Sequence, residues 1–571
     1  MNKLLKRTSI IGTIVLVLLI VSAYAGFLVG NAGISIEQIV LTTSDGIQLN
    51  ARVYKPIMSS GRLPAIVVCH GLMASLTMMQ SGYSLEFAKR GFLVVAIDLR
   101  GHGGSGGSIA MEVLFGLMEQ GVSIFSFLPR PSHNQSISNS HQEQALRSDV
   151  EAVVNYLIGR PDVQSDKIAL LGHSMGGLAV IAEASVDPRI HATVGIAPAI
   201  SSGSNITIDL RVPQNLMLAV GIKDNVIREA QVLELYSKAT AGTGSVGKVY
   251  GSFLDGSARE FVLSSTSDHV GEMFDKYIIG EAITWVEKSL AVENSKPITI
   301  SFWPDITLPF SIVVSLLLIF PGVLIVEILS QFTIKKEPIQ KLYSSGMRGR
   351  RLLLLYLLGW GCSVFSFIIG LSVFRWIPLY LGDIIVAAYV IAPTVLFLVA
   401  LIFMKRQNKV NWVLVKPDRP ALKSCFIGAV SFLAVYIGLN MGISWNFINL
   451  FLTSRRLLWA SIIFAILLPF TCIDELWIRN LQTKLTLKSY LRIGIVVSIS
   501  LSIKLLAIAF LANLFGAFIF LVAALFIIPS FISAWLFEKT GRVFGGAVFN
   551  SLFMAWVIAT ILPFITHPIH F

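Results

Sequence analysis

The sequence predicts an α/β domain over residues 33–292 followed by an all-α membrane domain over 306–571. Three observations carry this. Short apolar runs alternate with amphipathic stretches through the first half of the chain, the pattern of a mostly parallel sheet covered by helices on both faces. From Ile306 onward the chain becomes a succession of apolar stretches, each long enough to cross a bilayer. Within the first half, Gly172-His173-Ser174-Met175-Gly176 directly follows the apolar run Ile168-Ala169-Leu170-Leu171, as in a strand that turns sharply into a helix with a serine at its apex.

The strands come in order. Gln38 to Thr43 and Ile47 to Tyr54 flank Ser44-Asp45-Gly46, which has hairpin-turn chemistry. Leu63 to Cys69 is a continuous apolar run ending in His70-Gly71, and Phe92 to Ile97 is another, ending in Asp98-Leu99-Arg100-Gly101-His102-Gly103. Ile168 to Leu171 leads into the serine turn; His191 to Ile196, Leu216 to Val220 and Glu260 to Leu263 complete the sheet. Helical patterns lie between them at Leu85 to Arg90, Gln142 to Ile158, Gly177 to Ala184, Ala230 to Thr240 and Ile279 to Leu290. On such a sheet, ligands bind beyond the carboxyl ends of the strands.

Of the 571 residues, 54% are hydrophobic and only 14% charged, which excludes an ordinary soluble protein. Eight apolar stretches follow the globular part, at about 306–332, 352–374, 377–404, 422–446, 456–473, 490–512, 514–537 and 543–566. A ninth opens the chain: Lys3, Lys6 and Arg7 precede an apolar run from Ile10 to Val29. Ala23-Tyr24-Ala25 would suit signal peptidase, but Phe27, Leu28 and Val29 continue the run, so residues 1–32 read as a retained signal anchor. Residues 293–305 are a linker.

Positive charge orients the spans. Lys335, Lys336, Lys341, Arg348, Arg350 and Arg351 follow the first downstream span; Lys405, Arg406, Lys409, Lys416, Arg419 and Lys423 follow the third. Arg479, Lys484, Lys488 and Arg492 follow the fifth, and Lys539 and Arg542 the seventh. These are alternate loops, so all can be cytoplasmic together, leaving the globular domain outside the cell membrane; Arg455 and Arg456 are the exception. The same clusters account for much of the net charge of +12, and point to anionic lipid headgroups rather than nucleic acid as their partner. Cys69 is the one cysteine in the globular domain, so no bridge can form within it.

Chemistry-bearing residues fall just after the strands. Ser174 ends the central one, Asp224 follows Leu216 to Val220, and His269 follows the last. The order Ser, Asp, His, each in its own post-strand loop, is what a catalytic triad on this sheet requires. Asp268 is a rival to Asp224, although its adjacency to His269 makes it hard to aim at that ring. Gly103-Gly104-Ser105-Gly106-Gly107 also fits the serine pattern, but no strand runs into it and nothing in the sequence would hold Ser105 in one orientation. Gly242 to Lys248 nearly spells a phosphate loop, yet Val249 stands where a magnesium-binding hydroxyl belongs.

Taken with His70-Gly71 and the Asp98-to-Gly103 run, residues 33–292 resemble the α/β-hydrolase superfamily. Gly172 to Gly177 is most similar to the monoacylglycerol-lipase and serine-aminopeptidase branch, while Ser44-Asp45-Gly46-Ile47-Gln48-Leu49 also occurs in dienelactone-hydrolase-like members. The resemblance implies Ser174, Asp224 and His269 as catalytic residues and an oxyanion hole from the backbone N–H groups of Leu72 and Met175. His70, Gly71, Gly172 and Gly176 would support the turns, and no metal or cofactor is implied. His173, His102 and Asp98 read as structural.

Residues 108–141 are an apolar insertion, read either as a helix on the domain's own surface or as a lid dipping into the outer leaflet. In the membrane domain, Asp474-Glu475-Leu476-Trp477-Ile478-Arg479 with Lys539, Arg542 and Asn550 weakly resembles the CAAX-protease-like intramembrane family. No histidine lies between His269 and His567, so that family's histidine motifs are absent. Glu327, Asp383 and Lys504 fall singly within spans. The expected function is a membrane-bound extracytoplasmic serine hydrolase that cleaves an ester, thioester or amide through an acyl-enzyme, its substrate a membrane-proximal acyl ester or short peptide, with lipid as a further candidate. Alternatives are a serine peptidase, or a transporter or lipid-handling protein with an accessory hydrolase.

Overall fold

The computed structural model describes residues 31–59, 61–110, 135–201, 204–294, 349–365, 369–374, 376–379, 382–404, 416–444, 449–485, 487–512 and 518–566. The N-terminal anchor, the core of the 108–141 insertion, the linker after 294, the stretch 306–332, Glu327 and the basic residues 335–348 and 405–409 lie outside them. The described chain forms two compact units. The first holds 31–294 with described residues of 442–450 and 563–566; the second holds 349–441 and 451–562.

Eight strands build the main sheet of the first unit: β1 (Ile34–Thr42), β2 (Gln48–Pro56), β3 (Leu63–Cys69), β4 (Leu93–Ile97), β5 (Val163–His173), β6 (Ala192–Ile196), β7 (Leu216–Gly221) and β8 (Arg259–Ser264). They pair in the order β1-β2-β4-β3-β5-β6-β7-β8. β2 is antiparallel to both β1 and β4, and every pair from β4 to β8 is parallel. Every residue of β3, β4, β6 and β7 is buried, as parallel strands covered on both faces must be, whereas β1 at the edge is largely exposed. Between β1 and β2, Gly46 takes φ +82° and the Thr43 N–H donates to the Ile47 carbonyl at 2.9 Å, closing the hairpin.

Helices α1 (Leu85–Lys89), α2 (Gln135–Ile158), α3 (Met175–Ala184), α4 (Glu229–Ala239) and α5 (Lys276–Ser289) accompany the sheet. Asp275 caps α5 by accepting from the Tyr277 and Ile278 amides. Behind that cap, Ile278, Ile279, Ala282, Ile283, Trp285 and Val286 are buried, and the Trp285 indole N–H donates to the Asn215 carbonyl at 2.7 Å. α2 starts at Gln135, before the expected Gln142, so the last part of the expected insertion is helical.

Strand register sets the site. Cys69 aligns with Gly172, Gly172 with Gly195, and Gly221 with Ser264, so the carboxyl ends of β3, β5, β6, β7 and β8 share one edge of the sheet. Two segments that the sequence-based boundaries put in the membrane domain join this unit instead. Ile565–Thr566 pairs in parallel with Ile109–Ala110, and the Phe564 N–H donates to the Gly101 carbonyl at 2.9 Å. The Asn449 N–H donates to Ser75 Oγ at 3.3 Å. Apolar length, from which those boundaries were drawn, carries no information about backbone pairing.

The second unit is helical: α6 (Gly349–Gly361), α7 (Gly382–Met404), α8 (Arg419–Ile443), α9 (Ser454–Thr483), α10 (Ser489–Ala512), α11 (Phe518–Thr540) and α12 (Phe544–Ile561). Three of them, within Arg419–Met441, Ser454–Thr483 and Phe544–Ile561, are long and apolar enough to cross a membrane by length and composition. Two expectations need correcting. The stretch 352–374 is not one continuous helix, because α6 gives way to a 3-10 turn at Cys362–Phe365 and a π turn at Gly370–Phe374. α9 runs on to Thr483 instead of ending near 473, since its charged residues are paired inside the unit.

Candidate active site

Ser174 sits between β5 and α3 with φ +55° and ψ −117°, a conformation that L-residues rarely adopt and that costs on the order of 1–3 kcal/mol. The neighbouring glycines make it attainable. A Cβ on Gly172 would lie 2.1 Å from the Gly176 carbonyl oxygen, and one on Gly176 would lie 2.5 Å from the Cys69 oxygen. Backbone thus packs on backbone at both positions, and α3 begins directly behind the serine. The Ser174 N–H donates to the Ile196 carbonyl at 2.8 Å, which ties the turn to β6.

Three of the expected residues converge here. His269 Nε2 stands 3.1 Å from Ser174 Oγ, and His269 Nδ1 stands 2.7 Å from Asp224 Oδ2. Asp224 is buried, and its other oxygen accepts from the Val226 and Ile227 amides at 2.7 and 2.9 Å, so the loop after β7 holds the carboxylate in place. Asp268, the rival, accepts from the Gly271 N–H at 2.7 Å within its own exposed turn.

The turn after β3 approaches from the other side. A Cβ on Gly71 would lie 3.0 Å from the Ser174 Cβ, so the backbone entering Leu72 passes close to the serine. Met175 is the first residue of α3, where an amide N–H has no carbonyl partner within the helix. His70 shapes the turn: Nδ1 donates to the Gly71 carbonyl at 2.7 Å, and Nε2 accepts from the Leu99 N–H at 3.1 Å. Burial, more than any other cause, pushes the His70 pKa below the usual imidazole value.

Asp98 and His102 also hold backbone. The Asp98 carboxylate accepts from the Leu76 and Gly104 amides, each at 2.8 Å, and His102 Nε2 accepts from the Met73 N–H at 3.2 Å. Ser105 differs from expectation in one respect: it is held firmly. Its Oγ donates to the Asp98 carbonyl at 2.5 Å and accepts from the Asn50 N–H at 2.8 Å, committing the hydroxyl to loop architecture.

Sequence reasoning missed Glu272. It lies in a 3-10 turn three residues after His269 and is completely buried. Its Oε1 accepts from the Gly221 N–H at 2.6 Å, and its Oε2 lies 3.2 Å from His173 Nε2 and 3.9 Å from His269 Nδ1. Burial first, and then the neighbouring Asp224, push its carboxyl up to about 10. His173 is held well below the imidazole value by burial and then by His269. Nothing in His269-Val270-Gly271-Glu272 distinguishes a buried acid from one on a solvated turn; only the fold decides that.

Residues 62–249 match the family model described as serine aminopeptidase, S33. With the sheet order and the strand–serine–helix turn, this assigns the first unit to the α/β-hydrolase superfamily. Among curated proteins, the chain is similar to an uncharacterised protein of Mycobacterium tuberculosis (29% identity; 25% of this chain, 40% of the relative). It is also similar to the platelet-activating factor acetylhydrolase of Canis lupus familiaris (26%; 25% and 36%) and thiohydrolase apmlB of Arthrinium phaeospermum (24%; 28% and 43%). The matches thus span less than half the length of these relatives. Solved structures similar to it include the Pyrococcus furiosus esterase Pf2001 (16% identity, 44% of this chain and 92% of that one, TM-score 0.30). The α/β hydrolase GrgF of Penicillium is another (16%, 45% and 99%, TM-score 0.32).

The second unit contains its own polar constellation. On α9, Asp474 accepts from the Trp360 indole at 2.9 Å and pairs with Lys504 of α10 at 3.1 Å. One residue on, Glu475 pairs with Arg479 at 2.8 Å and accepts from Ser533 at 3.0 Å and Asn550 at 2.9 Å. Lys504, solitary in the sequence, therefore has a partner. Arg456, the exception to the charge pattern, is buried with its guanidinium on the Thr560 and Leu562 carbonyls at 3.1 and 3.2 Å, where it caps the end of α12.

Proposed function

We propose that this chain is a membrane-bound serine hydrolase that cleaves an ester, thioester or amide through an acyl-enzyme, its α/β-hydrolase domain facing the outside of the cell. The observation that carries the reading is the unbroken chain Ser174 Oγ, His269 Nε2, His269 Nδ1, Asp224 Oδ2 at the carboxyl edge of the sheet. His269 takes the Ser174 proton as Oγ bonds to the substrate carbonyl carbon. The Leu72 and Met175 amides meet the oxyanion, an interaction worth about 2.7–4 kcal/mol per donor in such sites. Collapse breaks the bond to the leaving group, which receives the proton from His269. Water then attacks the acyl-enzyme, with His269 as base once more, and releases the acid and Ser174. Asp224 holds the imidazole tautomer and offsets its charge without taking the proton.

Acyl esters, thioesters and short peptides are the substrate classes, in keeping with the acetylhydrolase, thiohydrolase and aminopeptidase names borne by similar proteins. Three candidate membrane helices and the alternation of basic loops support a membrane-proximal substrate with the domain outside. Fluorophosphonate labelling of membranes carrying the full chain tests the chemistry. Wild type should label and Ser174→Ala should not; label retained in Ser174→Ala, or absent from wild type, would overturn the reading. A panel of p-nitrophenyl acyl esters against aminoacyl p-nitroanilides then separates esterase from peptidase.

A further inference from the structure

Behind the Asp224 side of the site lies a closed group of acids and imidazoles that a minimal triad does not need. Glu272 is at its centre, reached from four elements. The Gly221 amide comes from the end of β7, and His173 from the end of β5. Asp224 lies on the loop after β7, and Tyr83, from the turn before α1, donates its hydroxyl to the Glu272 carbonyl at 2.8 Å. The titratable groups facing it are Asp224, Asp268, His173, His269 and Tyr83. Among the described residues, no Lys or Arg is one of them.

We propose that Glu272 is a positioning residue of this hydrolase: its carboxyl, uncharged and wedged against Asp224, His173 and the Gly221 amide, donates a hydrogen bond that keeps the Asp224 carboxylate aimed at His269. The inference rests on the serine-hydrolase reading above. Two carboxylates side by side in a buried site with no cation to neutralise them cannot both ionise, so one keeps its proton. Asp224 already accepts two backbone N–H bonds and the His269 Nδ1–H, which suit an anion. Glu272 accepts one backbone N–H and therefore holds the proton, in line with its raised pKa of about 10. The Glu272 O–H then acts as donor to the carboxylate, and His173 closes the far side as a neutral ring.

The sign of a pH shift distinguishes this role from that of a second anion. A neutral donor is copied by Gln, whose amide oxygen still accepts from Gly221 and whose N–H groups still donate. Glu272→Gln should therefore keep p-nitrophenyl acetate hydrolysis within about threefold of wild type and leave the acid limb of the rate profile in place. Glu272→Ala should lower kcat on the order of ten- to a hundredfold with KM little changed. Its acid limb should move to higher pH, because an Asp224 carboxylate that loses a donor holds the imidazolium more strongly. Were Glu272 an anion 3.9 Å from His269, Glu272→Gln would move that limb to lower pH, and this result would overturn the proposal. Unchanged rates and profile in Glu272→Ala would overturn it too. Thermal unfolding of both full-length variants checks that they fold. Should Glu272→Ala not fold, Glu272→Gln decides by the same shift. Wild type that never labels with fluorophosphonate would instead strike the serine-hydrolase reading itself.

Discussion

Ser174 Oγ and His269 Nε2 stand 3.1 Å apart across 95 positions of sequence because β5 and β8 end at the same edge of one sheet. Neither residue is positioned by its sequence neighbours alone. Register brings the ends together; the serine turn and the loop after β8 then supply the last few ångströms.

Asp224 and Asp268 should differ sharply on substitution. Asp224→Asn should keep the fold but lower kcat by about 10⁴-fold, as loss of the triad carboxylate does elsewhere. Asp268→Asn, on an exposed turn and outside the hydrogen-bonded chain of Ser174, His269 and Asp224, should stay within a few fold of wild type. Steady-state hydrolysis of p-nitrophenyl acetate by the two full-length variants measures the contrast.

Gly176→Ala should be severe although it adds one methyl group. Its Cβ would meet the Cys69 and His70 carbonyl oxygens at 2.5 and 2.6 Å, and backbone cannot swing aside as a side chain can. Overpacking of this kind costs about 1–3 kcal/mol. A turn displaced by an ångström should cost about a hundredfold in kcat/KM. Denaturant unfolding and turnover together check both figures.

Glu183 gives a pH dependence independent of catalysis. It is buried on α3, 3.5 Å from Arg147, and burial, then Asp187 and Glu151, push its carboxyl up to about 8. The unfolded chain releases this proton near 4.5, so between there and about 8 the folded state binds more protons, and stability falls as pH rises. Glu183→Gln removes that slope. Its thermal midpoint should match wild type near pH 4 and exceed it increasingly toward pH 8; a constant offset would contradict the assignment.

The pair Asp474–Lys504 should behave as a buried ion pair. Lys504→Met alone leaves Asp474 uncompensated and should destabilise by about 3–5 kcal/mol, whereas the double variant Asp474→Asn, Lys504→Met should recover most of that. Thermal unfolding in detergent compares them. Equal loss in both would mean the charges act independently.

Orientation is checked with cysteines at exposed positions. Leu254→Cys, on a residue 99% exposed in the first unit, should react with a membrane-impermeant maleimide on intact cells. Lys416→Cys, in a basic loop assigned to the cytoplasm, should react only after permeabilisation. The reverse pattern would place the hydrolase domain inside.

Much of the first unit was legible because its signals are local. A parallel strand buried on both faces must be a continuous apolar run, and β3, β4, β6 and β7 are. The serine turn needs glycine where backbone meets backbone, and Gly172 and Gly176 stand there. Even the choice of Asp224 over Asp268 followed from the reach of a side chain next to His269.

What the linear chain withheld depends on burial and on pairing at a distance. Hydropathy counts Asp474 as the end of a span, yet Lys504 neutralises it and α9 continues. The rule that orients spans counts Arg456 as an anomaly, while the fold uses its charge on the carbonyls that end α12. Strand composition, turn chemistry and the order of the three site residues were thus determined by the sequence alone. Which acids keep their protons, and which charges vanish into partners, was decided by tertiary structure, because the cost of a charge depends on what surrounds it once water has been excluded.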